Sequence, residues 1–306
     1  MRLNYYLKYL AVASACLMND TFCLAQQKVH VVTRHVTKKL DYHKGEELLM
    51  LAEKSKMDIS TWDENYIELK IELTSRHTKI ETAKAELDYL KYSIEKNGSR
   101  YLVKNYFQAS DRFTKVKGNL STSFAVKVPR GCPLTITNLY GELVVRDLAA
   151  PLNVKIRFVD MQMYGVNGKV ELQSYFGNVR IKDTQGQLHA RLEKTKAYLY
   201  GFAGQLDIES SYGEVEVNGS GHYTSFDIVG ERTAVTIALE SLQLYNYRLS
   251  AFATDIFIPV EMGVVLDENK NRSFTKNNGN NNTWINIKTT YSPINLKPNN
   301  DNVSKK

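Results

Sequence analysis

His189 stands midway between Glu171 and Asp207 in the chain. A histidine with a carboxylate on either side could hold a divalent cation or pair a general base with an acid, provided that positions 18 apart become neighbours in the fold. A second set, Tyr164, Arg180, Lys182, Tyr198 and Tyr200, follows the same interval and mixes phenols with cations. Exposed tyrosines beside guanidinium groups stack on sugar rings or hydrogen-bond acidic polysaccharide. Each set has a plainer counterpart. Alternating charges along a stacked strand face relieve repulsion between neighbours, and tyrosine suits a strand surface whatever the function. With one histidine in its row and a convex surface to carry it, the Glu171, His189, Asp207 ladder reads as a solvated face, so no catalytic, metal or cofactor site is expected. Cys132 precedes Pro133 and has no histidine nearby in the chain, which predicts a buried structural thiol. His30, His35, His43 and His77 lack metal-ligand spacing, and no phosphate-cradling glycine loop or nucleophile elbow occurs.

The interval of 18 comes from a repeat of nine that opens at Gly141. The third and fifth places of each unit are apolar: Leu143 and Val145, Leu152 and Val154, Met161 and Met163, Val170 and Leu172, Val179 and Ile181, and so on to Val215 and Val217. The register runs back to Leu134 and Ile136 and forward toward Val235 and Leu244. Period-two alternation between glycines means a short strand, a turn and another strand. Large aromatics close alternate units at Tyr140, Phe158, Phe176 and Tyr212, with Lys194 the exception, so the full coil spans two units and holds two strands. The predicted fold is all-β: a parallel, right-handed, two-sheet β-solenoid with about 18 residues per coil over residues 119–290. In one sheet the outward fourth places become Asn153, Glu171, His189, Asp207 and Ser225. The sixth places, Arg146, Lys155, Gln173, Lys182 and Arg191, exclude an ordinary calcium-binding roll, whose turns need carboxylates.

Residues 26–118 read as a small α+β lead-in that caps one end. Alternation marks an entering strand over 28–41, with a turn at Lys44-Gly45-Glu46, and a half-buried strand over 66–73. Ile80, Ala83, Leu87 and Leu90 fall at helical spacing over 78–92, and Asn97-Gly98 supplies the positive φ angles of a hairpin between 92–95 and 101–106. The segment around Trp284 is expected to cap the other end, residues 270–282 to form an Asn-rich loop, and residues 291–306 a disordered tail.

The chain of 306 residues is long enough to bury a large core, and 43% hydrophobic with 24% charged residues suits a folded protein. Arg2 and Lys8, the apolar run from Leu10 to Met18 and Cys23-Leu24-Ala25 predict a signal peptide over residues 1–25, with lipidation at Cys16 the competing reading. Removing the leader leaves Cys132 as the single cysteine and lowers the formal charge from +7 to +6, since Arg2, Lys8 and Asp20 go with it. The apolar run is too short to span a bilayer, so no transmembrane span is expected in the mature chain. Basic runs interleaved with aromatics are lacking, and nucleic acid is not an expected partner.

The strand over 66–73, the Ala-Lys-Glu helix, the Ser123-Phe124-Ala125-Val126-Lys127-Val128-Pro129 strand and the Gly-x-Val-x-Val coils from Gly141 to Val217 give the chain its resemblance to a known family. Over residues 46–290 it resembles the bacterial "putative adhesin" family of unknown function, and is similar to the head domains called GIN. The resemblance implies an exported leader, a short α+β section and a parallel β-helix; the family has no established catalytic residues to carry over. His222-Tyr223-Thr224 and Glu231-Arg232-Thr233 depart from the glycine pattern after Gly213. The expected function is that of an exported, non-enzymatic envelope or surface protein of the periplasm or cell surface, binding an envelope polysaccharide or protein. The rivals are a polysaccharide-active β-helix enzyme and a purely structural envelope spacer.

Overall fold

The computed structural model describes residues 28–109, 115–219, 222–279 and 282–299. The leader, its cleavage point and Cys16 lie outside the described residues. The chain is nearly all β, in an open and mostly parallel hydrogen-bonded network. It opens with β1 (His30–Asp41), β2 (Glu47–Trp62) and β3 (Tyr66–His77), one helix α1 (Ile80–Leu87), the hairpin β4 (Leu90–Asn97) and β5 (Arg100–Phe107), and β6 (Asn119–Pro129). The helix is shorter than its apolar spacing predicts, because Leu90 already begins β4. The hairpin forms around Asn97 and Gly98 as expected.

Four long strands follow: β7 (Leu134–Arg146), β8 (Leu152–Tyr164), β9 (Asn167–Lys182) and β10 (Gln185–Tyr200). Each pairs in parallel with the next at an offset of 18, as in Leu134 on Leu152 and Val170 on Leu188. The next turn of chain is split into β11 (Ala203–Ser211) and β12 (Glu214–Gly219), which keep the same offset against the two halves of β10. The apolar third and fifth places from Leu143 to Val217 are all buried, so burial rather than hydrogen bonding alone fixes the register.

Each long strand bends at one non-glycine residue with positive φ: Tyr140 (63°), Phe158 (55°), Phe176 (57°) and Lys194 (49°), and Tyr212 (57°) takes the same place between β11 and β12. These are the residues of the slow aromatic rhythm. At this bend the side chains point outward and stack, with the Tyr140 and Phe158 rings 5.0 Å apart and Phe158 and Phe176 4.8 Å apart. Lys194 breaks the aromatic pattern but continues the column, its ammonium 4.8 Å from the centre of the Phe176 ring. The glycine that follows the first bend is required by close approach: a Cβ on Gly141 (φ 136°) would lie 2.1 Å from the carbonyl oxygen of Ser55.

That contact reveals an element the sequence pattern hid. β2 lies against β7 over its full length, Leu48 on Leu134 and Ile59 on Val145, with its first half also on β5 and its second half on β6. It bends at Lys54 (φ 49°), which shifts its buried positions from Leu48 and Met50 to Met57 and Ile59 and breaks the alternation.

Beyond β12 several expectations change. β13 (Tyr223–Glu231) and β14 (Ala234–Leu239) pair with β11 and β12 at an offset of 20, because one more residue lies ahead of Tyr223, opposite Gly204, and a register shift at Thr224 adds a second. Val235 is buried as expected, but Leu244 is 47% exposed in a short 3-10 turn. β15 (Asn246–Phe252) and β16 (Ile256–Phe257) do not sit next in space; β19 (Trp284–Thr290) and β20 (Ile294–Pro298) insert between them and β13 and β14. The Trp284 segment is therefore internal rather than a cap. Part of the expected tail is a strand, with Ile294 and Leu296 buried. The Asn-rich stretch contributes β18 (Asn271–Lys276), which pairs antiparallel with β15 and with β17 (Leu266–Glu268).

Candidate functional site

The second halves of β8, β9 and β10 carry the tyrosine set. Register places Tyr164 beside Lys182 and Lys182 beside Tyr200, while Gln162, Arg180 and Tyr198 form the adjacent column. All five expected residues therefore share one outward face on three neighbouring strands. The Arg180 guanidinium lies 5.8 Å from the centre of the Tyr198 ring. Tyr164 donates its hydroxyl to Gln162 Oε1, which ties that phenol down on its own strand. Tyr200 is 38% exposed, and Arg180 and Lys182 are exposed. On the β7 rung the neighbouring cation Arg146 is neutralised by Asp58, and on β12 the columns continue as Glu216 and Asn218. The face can offer aromatic surface, two cations and phenol hydroxyls together.

The histidine ladder lies on the first halves of the strands, with Glu171, His189 and Asp207 in register. His189 Nδ1 is 2.8 Å from Asp207 Oδ2, but Glu171 turns to Lys169 Nζ at 2.8 Å. The carboxylates thus do not converge on the imidazole, and among the described residues no group of three His, Cys, Asp or Glu side chains is placed to hold a metal. The expected next member, Ser225, pairs with Gln205; the offset of 20 puts Asp227 beside Asp207 instead. Asp227 accepts from Asn286 Nδ2 and Ser225 Oγ, each at 2.8 Å, so its carboxylate is engaged by neutral donors rather than by a cation. Cys132 is buried, and burial pushes its thiol up to about 12, which makes it a poor nucleophile.

Sequence reasoning passed over the concave part of the molecule. A cavity of about 550 Å³ opens on the first halves of β7 to β10, lined by Thr137, Leu139, Lys155, Arg157, Tyr175 and Glu193, with Phe176 at the bend. A second of about 320 Å³ adjoins it across Tyr175 and Glu193 and holds the Arg191 and Glu209 ion pair. A third, of about 460 Å³, lies between β5 and β6, lined by Leu90, Asn105, Phe107, Val116 and Leu120. The nine-residue pattern shows which residues face outward; it does not show where neighbouring outward side chains leave a hollow.

No family model matches the chain, and no curated protein matches it at a significant level. Among solved structures it is similar to a "putative cell adhesion protein" from Clostridium sporogenes, at 10% identity over 88% of this chain and 100% of that one, with a TM-score of 0.26. It is also similar to a "putative adhesin" from Bacteroides fragilis, at 10% identity over 86% and 97%, with a TM-score of 0.36. A "putative lipid binding protein" from Parabacteroides distasonis follows at 11% identity over 87% and 96%, with a TM-score of 0.40. None of these likenesses assigns a role to a residue of the sites above.

Proposed function

We propose that the chain is an exported, non-enzymatic protein of the bacterial envelope or surface, a binding scaffold that presents the Tyr164, Arg180, Lys182, Tyr198 and Tyr200 face to an envelope polysaccharide or protein. The body is read as a right-handed two-sheet solenoid whose coil is two nine-residue units long. That reading is supported by the constant register offset from β7 to β12 and by the recurring positive-φ bend. The observation that carries the binding role is the stacking of Tyr164, Lys182 and Tyr200 in one column beside Arg180 and Tyr198 in the next. A rigid sheet holds such side chains in place before a ligand arrives, which lowers the entropy lost on binding. Phenol and guanidinium groups also satisfy both the apolar faces and the hydroxyls of a sugar.

The test is binding of the chain from Gln26 onward to arrays of bacterial and host glycans and to envelope extracts, beside a Tyr164/Tyr198/Tyr200→Ser triple variant. Removing three aromatic contacts should weaken a genuine ligand by roughly 100-fold or more. Undiminished binding by the triple variant removes this face as the site. Lack of any binding by either protein favours the structural spacer.

A further inference from the structure

We propose that the cavity on the first halves of β7 to β10 is a second binding site, for a saccharide that carries carboxylates. Its signature is a pair of cations without acidic partners. Other cations on the stacked strands meet an acid at the same register position: Lys56 pairs with Glu142, Arg191 with Glu209 and Lys196 with Glu214. Lys155 instead lies between Thr137 and Gln173, and Arg157 between Leu139 and Tyr175, all uncharged. Neither cation makes an ion pair among the described residues, although both are exposed on one strand, two residues apart and therefore on the same side. Lys194 adds a third charge without an acid at the bend, above Phe176.

The remaining lining selects among anions. Leu139, Tyr175 and Phe176 give the cavity apolar surface that a small inorganic anion does not need, whereas a pyranose has apolar C–H faces to set against it. Thr137, the Tyr175 hydroxyl and Glu193 supply donors and acceptors for sugar hydroxyls. An extended peptide is a poor occupant, because β7, β8, β9 and β10 are each paired on both sides and leave no backbone edge to extend. Four strands at the usual spacing span about 14 Å, enough for a short oligosaccharide. The adjoining cavity is lined by Glu193, Glu209 and Glu231, with Arg191 its single cation and already paired. That change of sign sets the end of the site at Glu193, and the anion lies toward Lys155 and Arg157.

The test is titration of the chain with trigalacturonic acid and with its fully methyl-esterified form, followed by calorimetry and by amide shifts. The acid should bind and the neutral ester should not, with shifts at residues 155–157, 175–176 and 193. Lys155→Gln/Arg157→Gln should weaken binding about tenfold or more, since charge-assisted hydrogen bonds to carboxylate are lost. Lys70→Gln/Lys84→Gln, exposed on β3 and α1 and part of neither binding face, should leave it unchanged. Lack of binding by the acid, equal binding of the ester, equal loss in both double variants, or shifts confined to other residues overturns the proposal. The amide shifts are read on the unsubstituted chain, so the result does not depend on either variant folding.

Discussion

Glycine recurs in this chain where one strand passes closely over the carbonyl of the strand beneath it. Gly186 has φ of 127°, and a Cβ there would lie 2.2 Å from the carbonyl oxygen of Gly168. Relief requires separating two hydrogen-bonded strands in the middle of the stack. Gly186→Ala should therefore cost roughly 2–3 kcal/mol, the sum of an unfavourable backbone conformation and local displacement. Gly131 has nothing within 4 Å of its Cβ position and no left-handed φ, so Gly131→Ala should be close to neutral. Chemical denaturation of both variants decides the matter, and equal midpoints would remove close approach as the reason for the glycine rhythm. At the bends themselves the preference is different: Tyr140, Phe158 and Phe176 accept positive φ and recover interaction energy by stacking on one another.

Among the elements, those with an unbroken alternation were legible in the sequence, and those whose place depends on distant partners were not. The strands from Leu134 to Val217 follow from third and fifth apolar places, because each pairs in parallel with the strand 18 residues on, so pairing is local in the repeat. The five residues of the tyrosine face follow from the same arithmetic. β2 escaped because Lys54 changes the parity of its buried residues, and Asp227 because two extra residues reset the offset. The cavity cations escaped because outward residues carry no periodic signal of pairing. The hardest element was the inserted pair β19 and β20, whose neighbours on both sides, β13 with β14 and β15 with β16, come from well back in the chain. Four of their aliphatic side chains, Ile285, Ile287, Ile294 and Leu296, are buried, each worth about 1.5–3 kcal/mol. Ending the chain before Trp284 should thus leave β15 and β16 without their parallel partners and lose cooperative unfolding of residues 246–257. Hydrogen exchange should show the β19 amides as slow as those of β9 in the full chain; rapid exchange there would mean that the insertion is only loosely held.

A stack of parallel strands is open at both ends, and the whole molecule must keep those ends from joining other chains. At one end β1 pairs only with β3, so its second edge has no strand partner among the described residues. Val32, Val36 and Leu40 pack on the core, and alternation puts Arg34 and Lys38 on that same inward side, where Arg34 is held by Asp88 at 2.7 Å. Lys39 adds a charge on the other side. At the opposite end β16 has two residues and β17 three, and Arg272 ties Asp255 to Asp267 across the termination. Short strands and inward charges both oppose edge pairing. If two copies met through β1, each close pair of like charges at this exposed edge would cost about 1 kcal/mol. Lys38→Val/Lys39→Val should consequently raise self-association by roughly tenfold or more, read as concentration-dependent sedimentation. The exposed Val29 and Val31 beside this edge favour the same contact once the charges are gone. Unchanged sedimentation of the double variant would show that the lysines do not guard the edge and that the backbone geometry of β1 alone prevents pairing.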